Sequence, residues 1–391
     1  MTIAIIGAGI AGLSHALLAA RQGHQVTVFE RSPSPQGASI RNFGMLWSIG
    51  QTADLYPLAL RSREIWLEIL AEMGAYHRLC GSLHLASRED EATVLREFAD
   101  LAPALGYQVQ FLSPSQVEAR SPVVKKGITQ AGLYSPTEVN IDPRQVAQLL
   151  PRYLQDKFGV RFRWNTRVTS IAEGSLETAD RHHHPYDQIL LCSGAELEAL
   201  FPDLLTTSSI RLTKLQMMRT VPQGPAFDLG PMPATGLTLR HYENFRICSS
   251  QHALIDRVAH ETPLLDRYGI HVMASQDATG GLVLGDSHEY GTEITPFDRE
   301  EIDDLILTEL RRHFEFPRWQ IARRWHGIYG KIPGQPILDL PSPLPGVHLR
   351  TGLGGTGMTL SFGLAEQFVT RHLTPSPKRP PASPSPSPQW A

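Results

Sequence analysis

Cysteine is scarce: Cys80, Cys192 and Cys248 lie far apart in a chain of 391 residues. An odd, scattered set excludes a disulfide framework and fits a reducing compartment. One sign of charge is not in excess either. With 36 Lys and Arg against 39 Asp and Glu the formal net charge is −3, so no nucleic-acid footprint is expected. No apolar run reaches the length of a membrane span. The first strand pattern starts at Thr2 or Ile3, which leaves no space for a signal peptide before it. These absences give the expectation of a cytoplasmic protein without a membrane anchor or an obligatory protein partner. Apolar residues are also lacking over 374–391, a Pro/Ser-rich tail expected to be disordered.

Glycine, by contrast, is placed with purpose. Thr2-Ile3-Ala4-Ile5-Ile6 reads as a buried strand and runs into Gly7-Ala8-Gly9-Ile10-Ala11-Gly12, then a helix to about Arg21, then a second strand over 25–29 ending at Glu30. Strand, glycines, helix and an acidic residue eighteen positions past Gly12, in that order, make a dinucleotide-binding fingerprint. Gly7 allows the tight turn, Gly9 lets a pyrophosphate approach the backbone, and Gly12 lets helix and strand pack closely. The helix N-terminus offers free N–H groups and a positive dipole end to phosphates. Glu30 suits a ribose diol and disfavours a 2′-phosphate, which argues against NADP.

Signals of this type recur along the chain, which is long enough for two domains. A helix is predicted over 52–73. Asp142-Pro143 starts another, with Asp as the cap and Pro in the first turn, and Gly159 stops it. The run Gln188-Ile189-Leu190-Leu191-Cys192 feeds a turn at Ser193-Gly194-Ala195, as a buried parallel strand does. From 210 to 290 the pattern changes to alternating segments (212–220, 236–241, 245–249, 271–276, 282–285) joined by turn residues, which predicts a largely antiparallel sheet. A helix over 298–313 follows, then a strand over 345–351, a glycine-rich turn over 352–357 and a long helix over 358–373. The expected fold is α/β: a discontinuous Rossmann-type nucleotide domain (1–75, 140–208, 320–373) carrying an inserted substrate domain on the antiparallel sheet (76–139, 209–319).

Four motifs in this order resemble the FAD-dependent D-amino-acid oxidase/sarcosine oxidase/glycine oxidase family. They are Gly7 to Gly12 with Glu30, Gly37-Ala38-Ser39-Ile40-Arg41-Asn42-Phe43-Gly44, Cys192-Ser193-Gly194-Ala195, and Gly352-Leu353-Gly354-Gly355-Thr356-Gly357-Met358-Thr359. The resemblance implies FAD held by Gly7, Gly9, Gly12, Glu30, Arg31, Ala38, Ser39, Arg41, Asn42, Val168, Gly194, Gly354, Gly355, Thr356, Gly357 and Met358. It places Arg41 and Asn42 beside the isoalloxazine ring. The turn at 354–358 opens the last helix, so its N–H groups would face the flavin edge that gains negative charge on reduction. Covalent attachment in related enzymes uses a C-terminal cysteine or an N-terminal histidine. The matching segments hold neither, so non-covalent FAD is expected.

The informative departure is Arg324-Trp325-His326-Gly327-Ile328-Tyr329-Gly330-Lys331-Ile332-Pro333. In glycine and D-amino-acid oxidases the equivalent stretch resembles Gly-Leu-Arg-Pro, whose arginine clamps the substrate carboxylate; here that position holds Tyr329. A phenol cannot supply a bidentate ion pair. The segments 39–47, 285–291 and 325–329 resemble a narrower branch that oxidises aminophosphonates, notably N-methylated 2-aminoethylphosphonate. A phosphonate favours several donors over one arginine. Arg41, His288, Tyr329 and Lys331 are the expected catalytic and binding residues, with Tyr290 beside them and Lys214 and Arg240 as outsiders. The expected partners are therefore a small amine and O2. No metal site is expected: His182-His183-His184 reads as a hairpin tip whose neighbours alternate between faces. Cys192 reads as packing rather than nucleophile.

Overall fold

The computed structural model describes residues 1–196, 200–202, 210–332 and 342–373. The tail at 374–391 and Pro333 lie outside the described residues. Five strands form a parallel sheet in the order Val347–Leu349, Gln188–Leu191, Thr2–Ile6, Gln25–Phe29, Arg161–Arg163. Alternate residues serve two cores. Ile3 and Ile5 pack with Leu13, Leu17, Phe362 and Val369 of helices Ile10–Arg21 and Gly357–His372. Ala4 and Ile6 face Val168 and Leu176 of a three-stranded antiparallel sheet (Val168–Ala172, Ser175–Thr178, His183–Pro185). A sheet covered on both faces is why these strands read as unbroken apolar runs.

The helix signals at 142 and 159 act as their chemistry requires. The Asp142 side chain accepts the Arg144 and Gln145 N–H groups ahead of helix Pro143–Phe158, and Gly159 ends it at φ 69°. The predicted helix over 52–73 is Tyr56–Met73, and that over 298–313 is Glu300–His313.

The second layer is a nine-stranded sheet. Arg211–Thr220 is its spine, pairing with Glu289–Gly291 and Leu282–Gly285 on one side and along its whole length with Ile321–Lys331 on the other. Met273–Gln276, Met232–Ala234, Ser82–Ala86, Ala131–Ser135 and Gln110–Leu112 extend it, all antiparallel except Met232–Ala234 against Ser82–Ala86. The architecture is thus the expected Rossmann-type α/β sheet with an inserted, largely antiparallel one.

Two details differ from the sequence reading. The segments 236–241 and 245–249 are not strands but the 3-10 turns Gly236–Arg240 and Glu243–Ile247. Their amides go to local carbonyls (His241 N–H to Thr238 O, Phe245 N–H to Tyr242 O) while Leu237, Leu239 and Phe245 are buried. A short stretch of buried apolar side chains satisfies either period, and here no neighbouring strand takes the backbone. Ile321–Lys331 also lies in the large sheet, although it falls in the segment grouped with the nucleotide domain; its eleven residues find a full-length partner there.

Candidate active site

The C-terminal ends of the parallel strands converge on one edge, where the chain leaves Ile6 for Gly7, Phe29 for Glu30 and Leu191 for Gly194. In open α/β sheets ligands bind in the crevice at this edge, where strand order reverses. Gly7 takes φ +104°, and a Cβ there would meet the Cys192 carbonyl oxygen. A Cβ on Gly12 would overlap the Gly7 carbonyl, so helix Ile10–Arg21 sits on the turn only because that atom is missing. Glu30 braces the loop as well as facing the crevice: its carboxylate accepts Ala8 N–H at 2.9 Å and Ser32 N–H at 3.0 Å. Each oxygen keeps a lone pair for a ribose hydroxyl. Arg31 forms an exposed ion pair with Glu196.

The second motif folds over the helix N-terminus as the 3-10 turn Ala38–Ile40, with Ser39 Oγ accepting Ile10 N–H at 2.8 Å. Asn42 is a brace within this loop. Its amide donates to Ala38 O and Ser39 O, both at 3.0 Å, and its Oδ1 accepts Gly44 N–H at 2.8 Å. Arg41 ties the loop to the large sheet: Nη1 donates to His326 O at 3.2 Å, and its carbonyl accepts Trp325 Nε1–H at 3.1 Å. Val168 is buried at the start of its strand beside the parallel sheet. Gly194 has φ +65°, and Thr351 Oγ1 donates to its carbonyl, joining the third and fourth motifs.

The fourth motif is the junction of the two layers. Gly354 to Thr356 form a 3-10 turn and Gly357 opens helix Gly357–His372, with Met358 in its first turn. The nearest atoms to a Cβ on Gly355 would be the Tyr329 hydroxyl at 3.4 Å, and to one on Gly354 the Lys331 side chain from 3.5 Å. The bare backbone of the turn is therefore faced by Tyr329 and Lys331 from the large sheet, and Lys331 also bridges to Leu353. A cradle of close-approach glycines, a carboxylate at the end of the second strand and the N-termini of helices Ile10–Arg21 and Gly357–His372 fit FAD.

Around Tyr329 and Lys331 lies a cluster that sequence reading found only in part. His288 is 4 % exposed and its ring centroid is 4.2 Å from that of His241 and 5.1 Å from that of His271. Asp286 Oδ1 stands 3.2 Å from His271 Nε2 and 3.8 Å from His288 Nδ1. Burial holds the imidazoles of His241 and His271 well below their ordinary pKa, and that of His288 at about 3. The Tyr329 hydroxyl is pushed well above its usual range by burial and by nearby Asp286. It therefore serves as a neutral donor. Tyr290 is half exposed, with its ring near His288. His241 and His271 carry no local motif, and tertiary folding alone brings them to Asp286 and His288 of the 285–291 segment.

The two outsiders are engaged by other partners. Lys214, 1 % exposed, pairs with Asp298 at 2.8 Å and donates to Thr295 O and Phe297 O. Arg240 donates to Leu265 O and Ile270 O and pairs with Asp266 at 3.2 Å. Burial pushes the Cys192 thiol up to about 12, too high for a nucleophile at neutral pH.

The family described as "FAD dependent oxidoreductase", designated DAO, matches residues 2–371. The chain belongs to this family. It is similar to the tRNA 5-methylaminomethyl-2-thiouridine biosynthesis bifunctional protein MnmC of Magnetococcus marinus, with 28% identity over 52% of this chain and 31% of that protein. It is also similar to the glycine oxidase of Geobacillus kaustophilus, with 26% identity over 38% of this chain and 42% of that one. The matched region thus spans less than half the length of either relative. Its fold is that of the crystal structure of the same glycine oxidase (TM-score 0.74, 20% identity, 94% and 93% of the two chains covered). The L-proline dehydrogenase from P. horikoshii has it too (TM-score 0.74, 18% identity, 95% and 93% covered). Among the described residues no helix is long and apolar enough to cross a membrane.

Proposed function

We propose that this member of the DAO family is a cytoplasmic amine oxidase acting on a small N-methylated aminophosphonate such as N-methyl-2-aminoethylphosphonate. The observation that carries the reading is the pairing of Tyr329 and Lys331 against Gly354 and Gly355. Lys331 presents a point charge and Tyr329 a neutral hydroxyl where a carboxylate-binding oxidase of the resembled type places an arginine. His288 and Tyr290 add polar groups on the same side. A tetrahedral oxyanion with up to two charges suits such a dispersed set better than a planar carboxylate does.

Bound non-covalently in the crevice, FAD would supply the hydride acceptor for the carbon next to nitrogen and the two electrons that reduce O2 to H2O2. The protein's part is positioning. Tyr329 and Lys331 hold the acid group, Arg41 fastens the loop over the crevice to the strand bearing Trp325 and His326, and the amine docks unprotonated with its C–H toward the glycine turn. The resulting imine takes up water and separates into an aldehyde and an amine.

A second reading is an amino-acid donor. It is favoured by the glycine oxidase similarity and by the fold shared with the iminodiacetate oxidase of Chelativorans sp. BNC1 (TM-score 0.70, 19% identity). Anaerobic bleaching of the flavin separates the two. Bleaching by N-methyl-2-aminoethylphosphonate or 2-aminoethylphosphonate, and not by sarcosine, glycine or D-alanine, supports the phosphonate reading; the reverse pattern removes it. Admitting air and assaying peroxide then tests the oxidase assignment against a dehydrogenase.

Lys331 has a second expected effect. An ammonium beside the glycine turn offsets the negative charge that develops as oxygen is reduced. Lys331→Met should slow reoxidation of the reduced enzyme by roughly 10-fold or more, a barrier increase of about 1.4 kcal/mol or above. Stopped-flow oxidation of the reduced variant at wild-type rate removes this role.

A further inference from the structure

Three ligand-type atoms face one another inside the protein with nothing to bind. His271 Nε2, His288 Nδ1 and Asp286 Oδ1 have no hydrogen-bond partner among the described residues, and their residues are 2 %, 4 % and 5 % exposed. Asp286 Oδ1 is 3.2 Å and 3.8 Å from the two nitrogens, and one ring nitrogen from each of His241, His271 and His288 lies within 4.8 Å of the others. Buried polar atoms are normally paired, and an unpaired one costs about 1–3 kcal/mol. Unpaired donor atoms buried this close to one another are satisfied at once by a cation. Donors around a tetrahedral first-row metal bound at ~2.0–2.2 Å are spaced about 3.3–3.5 Å apart, between the two distances found here.

We propose that Asp286, His271 and His288, with His241 as the fourth donor, form a binding site for a divalent first-row metal ion of the zinc type beside the flavin crevice. The donor set is imidazole and carboxylate without thiolate, which suits zinc and its neighbours rather than Ca²⁺ or Mg²⁺. As a bound carboxylate Asp286 would offset one of the two charges of the metal, and Arg240 nearby is compensated by Asp266 and two carbonyls. The remaining excess positive charge, with that of Lys331, calls for an anion. On the phosphonate reading above, a substrate oxygen supplies it, so metal and oxyanion bind more tightly together than apart.

The test uses the full-length flavoprotein. Zinc-loaded, desalted protein is analysed for metal, and Co²⁺ is titrated while ligand-field absorption is followed at wavelengths longer than the flavin bands. One metal per chain is expected, with strong bands of a low-coordinate site. His271→Gln and Asp286→Asn should each weaken retention by roughly two orders of magnitude while keeping bound flavin as the sign of an intact fold. The triple change His182→Gln, His183→Gln and His184→Gln on the exposed hairpin should leave retention unchanged. Wild-type protein that keeps no metal and gives only weak octahedral aqua-type cobalt bands overturns the site without recourse to any variant. Metal lost with the hairpin histidines, or kept by His271→Gln, also overturns it. Methylphosphonate should tighten Co²⁺ binding several-fold. Metal binding that ignores methylphosphonate leaves the site standing and counts against the phosphonate reading.

Discussion

Gly12→Ala should yield a colourless protein that retains no FAD after purification. The added methyl would occupy the position of the Gly7 carbonyl oxygen, a backbone atom that cannot turn aside. Helix Ile10–Arg21 must then move off strand Thr2–Ile6, opening the turn that Glu30 closes through Ala8 N–H. The overpacking costs about 1–3 kcal/mol of stability. The effect on the cofactor is larger, because the helix N-terminus and the Glu30 carboxylate no longer reach the dinucleotide together. A loss of at least ~100-fold in FAD affinity is expected, equivalent to about 2.7 kcal/mol. Gly23→Ala is the control. It lies just past the other end of the same helix at φ +80°, with no atom near its would-be Cβ. It should lose about 1 kcal/mol through backbone strain and keep its flavin. Stoichiometric flavin in purified Gly12→Ala would show that this turn does not set the FAD site.

Acidification below about pH 6.5 should destabilise the fold through its buried histidines. His15 lies fully buried under helix Gly357–His372, its Nδ1 against Ala11 O and its ring edge-on to Phe368, and burial with the nearby Arg350 lowers its pKa to about 3. His84 sits between Trp47 and Phe245 with both ring nitrogens unpaired, and burial alone lowers it to about 3. Unfolding returns each to about 6.5. The unfolded chain then binds more protons between those values. The stabilisation from keeping these rings neutral is complete above pH 6.5 and is lost as pH falls toward 3. At pH 5 each site should cost about 2 kcal/mol relative to pH 8. Urea midpoints measured across this range check the slope. His84→Leu, which leaves no ring to protonate, should remove about 2 kcal/mol of the loss at pH 5; an unchanged acid slope in that variant would exclude His84 as a source.

These two predictions draw on different layers of information. The glycine turns that frame the crevice are legible in the sequence because they depend on backbone shape. Backbone shape is written locally: a strand, a glycine where φ is positive, a glycine where a Cβ would collide, and a carboxylate one strand later. The same holds for Asp142 as a cap and Gly159 as a stop. Where local and tertiary causes compete the reading was weaker. The alternation at 236–241 and 245–249 fits strand and turn equally, and only the lack of a pairing neighbour decides for the turn. Asn42 was legible as part of the motif but not as a brace, since its partners Ala38 O and Ser39 O become donor-accessible only once the loop has folded.

The sequence by itself determined the α/β class and the cofactor, because each depends on spacing within one supersecondary unit. It also marked the absence of an arginine at Tyr329. Only the tertiary structure decided what stands in place of that arginine. Strand Ile321–Lys331 runs the length of Arg211–Thr220, bringing Tyr329 and Lys331 over Gly355 and Gly354. His241, His271, Asp286 and His288 come from a turn, a loop and a strand end with no shared period. Their meeting inside the protein is a consequence of how the large sheet closes on the glycine turn, and no local pattern in the chain encodes a distance between them.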